Sequence, residues 1–347
     1  MRFRVIALTL CVLLAVVMVL GTISCAAGPP APTGPIKWRS QNALSLTSYQ
    51  YNYQFKPFVE MVAQRSNNML TIELLAPGAV VDAYEQFSAV QKGVVDMSMG
   101  IGGYSVKQVP EGDIEQGVPG TFSSADDFFD WYMNYKGGQA YKILADAYKE
   151  KGIYLLRSPG PSDTSLIMKT AIKTIDDVKG KKVRASGANV EMVKQLGGAP
   201  VTLAPAEVFM ALQTGTIDGV FFPTYTIGTM KLWDAAKQEV LGPFGQTSGN
   251  MFVSQKAFDA LPNNLKDIVN KAAEDAAKNY VSEVKARTKA ILDEATSKHG
   301  VNVFTLPAAE QAKARQAAAP ILEKLSQATP RAKQLADLIK EYIASKK

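Results

Sequence analysis

The sequence predicts an α/β fold of two lobes with a cleft between them. Three observations predict it: strand and helix patterns alternate along the chain, one helix-to-strand junction occurs twice, and a long helical pattern follows both copies. The 347 residues suffice for about two domains of ~150 residues each. With 47% hydrophobic and 20% charged residues, the composition excludes wholesale disorder and collagen-like repeats.

From the N-terminus, Arg2 and Arg4 precede an apolar run, Val5 to Leu20, that only Thr9 interrupts; small residues follow from Gly21 to Ala27. This is the pattern of an export signal, shorter than a stable span of ~20 residues. Cys11 lies inside the apolar run. Cys25 follows it between Ser24 and Ala26, as the lipid-modified cysteine of a bacterial lipoprotein does, although Thr22 stands where such a box usually has Leu. Lipidation at Cys25 and simple cleavage near Ala26 or Ala27 both fit. Residues 26–36 are rich in proline and glycine, as in a solvated tether, and no cysteine follows Cys25.

Beyond the tether, Trp38 to Ala43 reads as a strand, Phe55 to Arg65 as a helix, Leu70 to Leu75 as a strand, Ala83 to Lys92 as a helix closed by Gly93, and Val94 to Met99 as a strand. The same grammar returns later in the chain. Lys181 to Arg184 is a strand, Asn189 to Leu196 a helix, Pro205 to Thr214 a helix with proline at its first turn, and Thr216 to Phe222 a strand. Phe87-x-Ala89-Val90-Gln91-x-Gly93-x-Val95-Asp96 aligns with Phe209-x-Ala211-Leu212-Gln213-x-Gly215-x-Ile217-Asp218 at an offset of 122, with five identities. Two pseudo-equivalent lobes sharing a cleft account for that repeat. Residues 264–298 carry helical spacing over ~50 Å, enough to cross both lobes, and Gly300 ends it. Val301 to Phe304 is a last strand, and Pro307 and Pro330 open two terminal helices. The expected division places 37–161 plus 250–285 in one lobe and 162–249 plus 286–347 in the other.

The charge pattern and residue types exclude several functions. The chain has 38 basic and 32 acidic residues and lacks the basic stripe of a nucleic-acid binder. One His and two Cys are too few for zinc sites or for His-based and Cys–His chemistry, so no cofactor, metal or enzymatic activity is expected. His299 falls at a helix end, as a surface histidine does. A hydrolase or isomerase with a Ser or Tyr reactive group would lack a base. Glu85 and Glu207 sit in first helical turns, where carboxylates suit the helix dipole, and Gly100, Gly102 and Gly103 lack the order of a phosphate-binding loop.

Arg184 ends a strand, and Ser186 and Asn189 lead into the next helix, so a guanidinium adjoins free N–H groups. Both attract a carboxylate. An arginine at a strand end is also commonly a plain surface residue.

The segment from Gly180 to Gly219 resembles the DctP-type solute-binding proteins of TRAP transporters. The likeness rests on Gly180-Lys181-Lys182-Val183-Arg184, Leu196-Gly197-Gly198-Ala199-Pro200-Val201, Glu207-Val208-Phe209 and Ala211-Leu212-Gln213-Thr214-Gly215-Thr216-Ile217-Asp218-Gly219. Weaker likeness runs from about residue 38 to about residue 305. The resemblance implies a two-lobed periplasmic-binding-protein-like fold of the class II type that closes on an organic acid, with Arg184 holding its carboxylate. It also implies an extracytoplasmic location and a TRAP permease as partner, with the membrane reached through a lipid at Cys25. A module feeding a sensor is the competing reading.

Departures from the family pattern narrow the ligand. Val220-Phe221-Phe222-Pro223 replaces the polar pair of sugar-acid binders and the acid-plus-aromatic of metal users, so no metal is expected. The second arginine of sialic-acid binders would fall near Thr164, which joins the expected site as a neutral residue. Phe222 and Tyr225 then form an apolar wall suited to a monocarboxylate or an acid with an apolar body. Tyr104 and the series Tyr49, Tyr51 and Tyr53 are further candidates at strand exits.

Overall fold

The computed structural model describes residues 34–346. The expected export signal, Cys25 and most of the tether lie outside the described residues. Residues 34–347 form one compact unit. No described helix is long and apolar enough to cross a membrane.

Eleven strands form one continuous sheet: β1 (Ile36–Gln41), β2 (Leu70–Leu75), β3 (Met97–Ile101), β4 (Ile153–Leu155), β5 (Gly160–Met168), β6 (Lys182–Arg184), β7 (Ala199–Val201), β8 (Gly219–Pro223), β9 (Gln238–Leu241), β10 (Gln246–Ser254) and β11 (Asn302–Thr305). The main path runs β2-β1-β3-β10-β5-β8-β6-β7. Strands β1 to β3 are parallel, as are β6 to β8. The nine-residue strands β5 and β10 pair antiparallel with each other and join the two parallel groups.

The helices are α1 (Lys56–Arg65), α2 (Gln86–Gln91), α3 (Gly112–Gln116), α4 (Ala125–Met133), α5 (Gln139–Lys149), α6 (Ala188–Gln195), α7 (Val208–Thr214), α8 (Thr226–Thr229), α9 (Gln255–Asp259), α10 (Asn263–His299), α11 (Ala308–Ser326) and α12 (Pro330–Ser345). A π-helical turn, Tyr51–Phe55, leads into α1. The sequence expectation started that helix at Phe55 and missed the turn. Helix α10 has 37 residues, about 55 Å at 1.5 Å each. Its Leu265 to Ala276 stripe packs with Trp38, Phe58 and Met97, whereas Ala295 packs with Ile167, Val220 and Phe222. One helix therefore joins the cores beneath both parallel groups. Gly300, in the left-handed region (φ 65°), returns its N–H to Ala295 O and stops it.

The repeated junction has a structural cause. After α2 and after α7 the chain reverses at Gly93 and Gly215, both with positive φ. The aspartate of each copy then clasps a neighbouring parallel strand. Asp96 accepts Arg39 N–H at 2.7 Å and gives its own N–H to Arg39 O; Asp218 does the same with Lys182, also at 2.7 Å. Each aspartate locks the register of one parallel group.

The third large apolar cluster crosses the expected lobe division. It joins Phe87, Trp131, Tyr148 and Leu155 to Val183, Phe221, Phe244, Leu335 and Ile339. Helix α12 brings this about by packing its Leu335 face on α5 and α3.

Candidate functional site

Strand β6 places Arg184. Alternate residues of a strand face opposite sides, so Val183 enters the large cluster and Arg184 emerges on the other face, in register with Val220 of β8. Phe221 follows Val183 into that cluster, 5.1 Å from Phe244, and Phe222 follows Arg184. The guanidinium lies 4.6 Å from the centre of the Phe222 ring. Arg184 is 1% exposed and forms no ion pair among the described residues. Its Nε and Nη2 both donate to Leu203 O at 3.1 Å, and the Tyr84 hydroxyl is a further hydrogen-bonding neighbour of the guanidinium.

Tyr84 completes the surround of Arg184. Its hydroxyl lies within reach of Leu203 O, and its ring is 4.5 Å from that of Tyr104. Burial raises the Tyr84 pKa, with Tyr104 adding to the rise and Arg184 opposing it, so the hydroxyl stays a proton donor. Next to this group is a cavity of about 50 Å³, lined among others by Ser48, Gln50, Tyr104, Phe222, Tyr225 and Thr247. That volume holds a few water molecules or the body of a small acid. No Asp, Glu, Lys or Arg lines it, Arg184 included, but Arg184 packs on Phe222, which does line it.

Helix α8 positions Tyr225. It stacks on Tyr49 with centroids 4.6 Å apart and exchanges a 3.3 Å hydrogen bond with Ser48, which ties α8 to the segment ahead of the π-turn. Burial raises its pKa. Tyr53 lies under Arg287 and Tyr51 beside Phe55, so these two brace the segment and do not line the cavity.

Of the expected residues, the structure thus brings Arg184, Phe222, Tyr225 and Tyr104 together and sets three apart. Ser186 is half-buried, and its carbonyl accepts Gln116 Nε2 at 3.3 Å; the Gly103 loop packs against Gly187 and closes off that turn. Asn189 is buried on α6, away from the cavity lining, with its Oδ1 unpartnered. Thr164 bonds Thr247 at 2.9 Å and so stands one residue behind the wall. It lines a separate cavity of about 360 Å³ that also borders Asp163, Gln246 and Arg315. That cavity is roomier, and none of its lining residues touches Arg184 as Phe222 of the smaller cavity does. Glu207 acts as the expected cap, accepting Ala204 N–H at 2.8 Å.

Sequence reasoning passed over Gln50, Tyr84, Ser48 and Thr247. These are polar residues in loops and strand ends, without a spacing that distinguishes them. Among the described residues no group of three His, Cys, Asp or Glu side chains is placed to hold a metal.

The family of bacterial extracellular solute-binding proteins, family 7 (DctP), matches residues 40–328. The chain belongs to that family. Family 7 proteins are substrate-binding components of transporters and not enzymes. A solute-binding protein of Albidiferax ferrireducens is 26% identical over 216 residues, covering 61% of this chain and 62% of that relative. The match therefore spans less than two thirds of the relative's length. Two crystal structures share the fold. A TRAP periplasmic solute-binding protein of Pseudoalteromonas atlantica, with bound sodium and pyruvate, has a TM-score of 0.80 at 23% identity and covers 90% of this chain and 94% of its own. One from Desulfovibrio salexigens, with bound orotic acid, reaches 0.81 at 20% identity, covering 89% and 99%. The two-lobed architecture of this family 7 chain is that of these structures.

Proposed function

We propose that this family 7 protein is the extracytoplasmic receptor of a TRAP-type transporter, and that it captures a monocarboxylate between its lobes and delivers it to a membrane permease. The observation that carries the reading is Arg184. A guanidinium this deeply buried, with a carbonyl as its acceptor and no ion pair among the described residues, is costly to desolvate unless an anion supplies the missing charge. The guanidinium hydrogens not spent on Leu203 O can take one carboxylate. The absence of any charged group in the cavity lining leaves Arg184 behind Phe222 as the one cation called on, which favours a singly charged ligand over dicarboxylates and zwitterions. Pyruvate and orotate in the two structural neighbours are acids of that kind.

In this reading Phe222 holds the guanidinium plane and presents an apolar wall. Tyr84, Tyr104 and Tyr225 supply hydroxyls, and β5, β10 and α10 carry the hinge motion. Thr164, Ser186 and Asn189 support the site's surroundings. Export by the N-terminal segment and lipid attachment at Cys25 complete the proposal, and intact-mass measurement of the membrane fraction tests the latter. Thermal-shift measurements on short-chain, keto, dicarboxylic and aromatic acids, each beside its amide, test the ligand class. Stabilisation by a monocarboxylate and not by its amide is expected, whereas equal shifts for acid and amide would contradict the role of Arg184.

A further inference from the structure

Strands β5 and β10 meet at a pair of glycines, Gly160 opposite Gly249. Neither has a positive φ, so neither is required for backbone freedom. Their reason is space. A Cβ on Gly160 would collide with the amides of both Gln50 and Gln54, and one on Gly249 would lie 2.8 Å from Gln50 Oε1. The π-helical turn beside them brings Gln50 and Gln54, four residues apart, down onto this bare patch, where they are 3% and 0% exposed.

The resulting ladder has one possible polarity. Ser158 O accepts Gln54 Nε2 at 2.8 Å, which fixes the Gln54 amide and turns its Oε1 toward Gln50. Gln50 Nε2 donates to that Oε1 and to Gly249 O, both at 2.9 Å. Rotating either amide by 180° would set oxygen against oxygen in a buried site. Both amide hydrogens of Gln50 are therefore spent on the protein. Gln50 also lines the cavity beside Phe222 and Tyr104, together with Thr247, two residues from Gly249 on the same face of β10. Its side chain has an acceptor, Oε1, left to offer a ligand and no donor.

We propose that Gln50 is a specificity-determining residue that selects carboxylates carrying a hydroxyl or N–H donor over their 2-oxo counterparts. The proposal rests on Arg184 as the carboxylate anchor and adds what Gln50 in the cavity lining requires. A hydroxy acid donates to Gln50 Oε1, whereas the oxo acid of the same skeleton presents an acceptor to an acceptor. A site built to hydrogen-bond a hydroxyl disfavours analogues that lack it.

Isothermal titration of the full chain with matched pairs tests it: lactate and pyruvate, 2-hydroxyisovalerate and 2-oxoisovalerate, mandelate and phenylglyoxylate. The wild-type protein is expected to favour the hydroxy acid of the best-binding pair by about tenfold or more. Gln50→Met, which keeps the packing but removes the amide, is expected to bring that ratio close to one while still binding both acids. Arg184→Ala is expected to weaken both members alike. A wild-type ratio at or below one overturns the proposal without recourse to any variant, as does a ratio that Gln50→Met leaves unchanged. Failure of every acid to bind the wild type would overturn the carboxylate reading itself and this proposal with it.

Discussion

Replacing Gly160 by alanine tests the packing that sets the cavity's shape. The added Cβ would occupy the space where Gln50 Nε2 meets Gln54 Oε1. The bond between the two amides must break, and the bonds to Gly249 O and Ser158 O must shift with it. Each buried amide group left unsatisfied costs about 1–3 kcal/mol. Stiffening of the unfolded chain by alanine returns about 0.4–1 kcal/mol, since the native φ is not left-handed. The net expectation is a loss of about 2–4 kcal/mol. At about 2 °C per kcal/mol for a chain of this size, that is a fall of roughly 4–8 °C in Tm. Circular dichroism melts of wild type and Gly160→Ala measure it. Gly34→Ala, where no atom lies within 4 Å of the new Cβ, serves as the control and should not change. A Tm for Gly160→Ala equal to or above that of the wild type would refute the ladder.

The remaining predictions use other parts of the molecule. Glu239 is fully buried beside Ser165 with Oε2 unpartnered, and burial pushes its pKa up to about 8; burial likewise brings Glu115 to about 7 and Asp113 to about 6. The folded protein thus holds protons that the unfolded chain releases near pH 4–5, so stability should fall as pH rises from about 5 to 8, by of order 1 kcal/mol per pH unit for each group titrating. Glu239→Gln should flatten that fall, and its Tm relative to wild type should rise steadily between pH 5 and pH 8.5; parallel curves would contradict the assignment. Phe221→Ala should cost about 3–5 kcal/mol in urea unfolding, because the ring is core packed on Phe244. Phe222→Ala, which also truncates a buried cluster, should in addition weaken acid binding by removing the ring on which Arg184 rests, whereas Phe221→Ala should leave acid binding unchanged; loss of binding in Phe221→Ala and not in Phe222→Ala would show that the two faces of β8 are misassigned.

Much of this was legible in the sequence, for reasons that differ by element. The long helix was read within one residue at each end because its apolar spacing is regular and Gly300 ends it. The repeated junction was legible because each aspartate is needed to clasp a neighbouring strand. Strands β5 and β10 were not read: Gly160-Pro161-Ser162-Asp163-Thr164 and Gln246-Thr247-Ser248-Gly249 have no apolar alternation. They are buried against other polar groups and against the amides of Gln50 and Gln54. The helices between Gly112 and Lys149 were also passed over.

At the site, Arg184 was marked by its motif and Phe222 by strand alternation. Gln50 and Tyr84 carry no local signal, because what places them is the approach of distant segments. Ser186 and Asn189 were expected in the site from their closeness to Arg184 in sequence, but the turn that holds them packs against Gln116 and Gly103.

Isothermal titration of the best-binding acid into wild type and Arg184→Ala tests the central claim most directly. Leaving the carboxylate unpaired in a closed cleft should cost ~2–5 kcal/mol, a loss of roughly thirtyfold to several thousandfold in affinity, with the fold retained by circular dichroism. The same affinity in a folded Arg184→Ala protein would contradict the account.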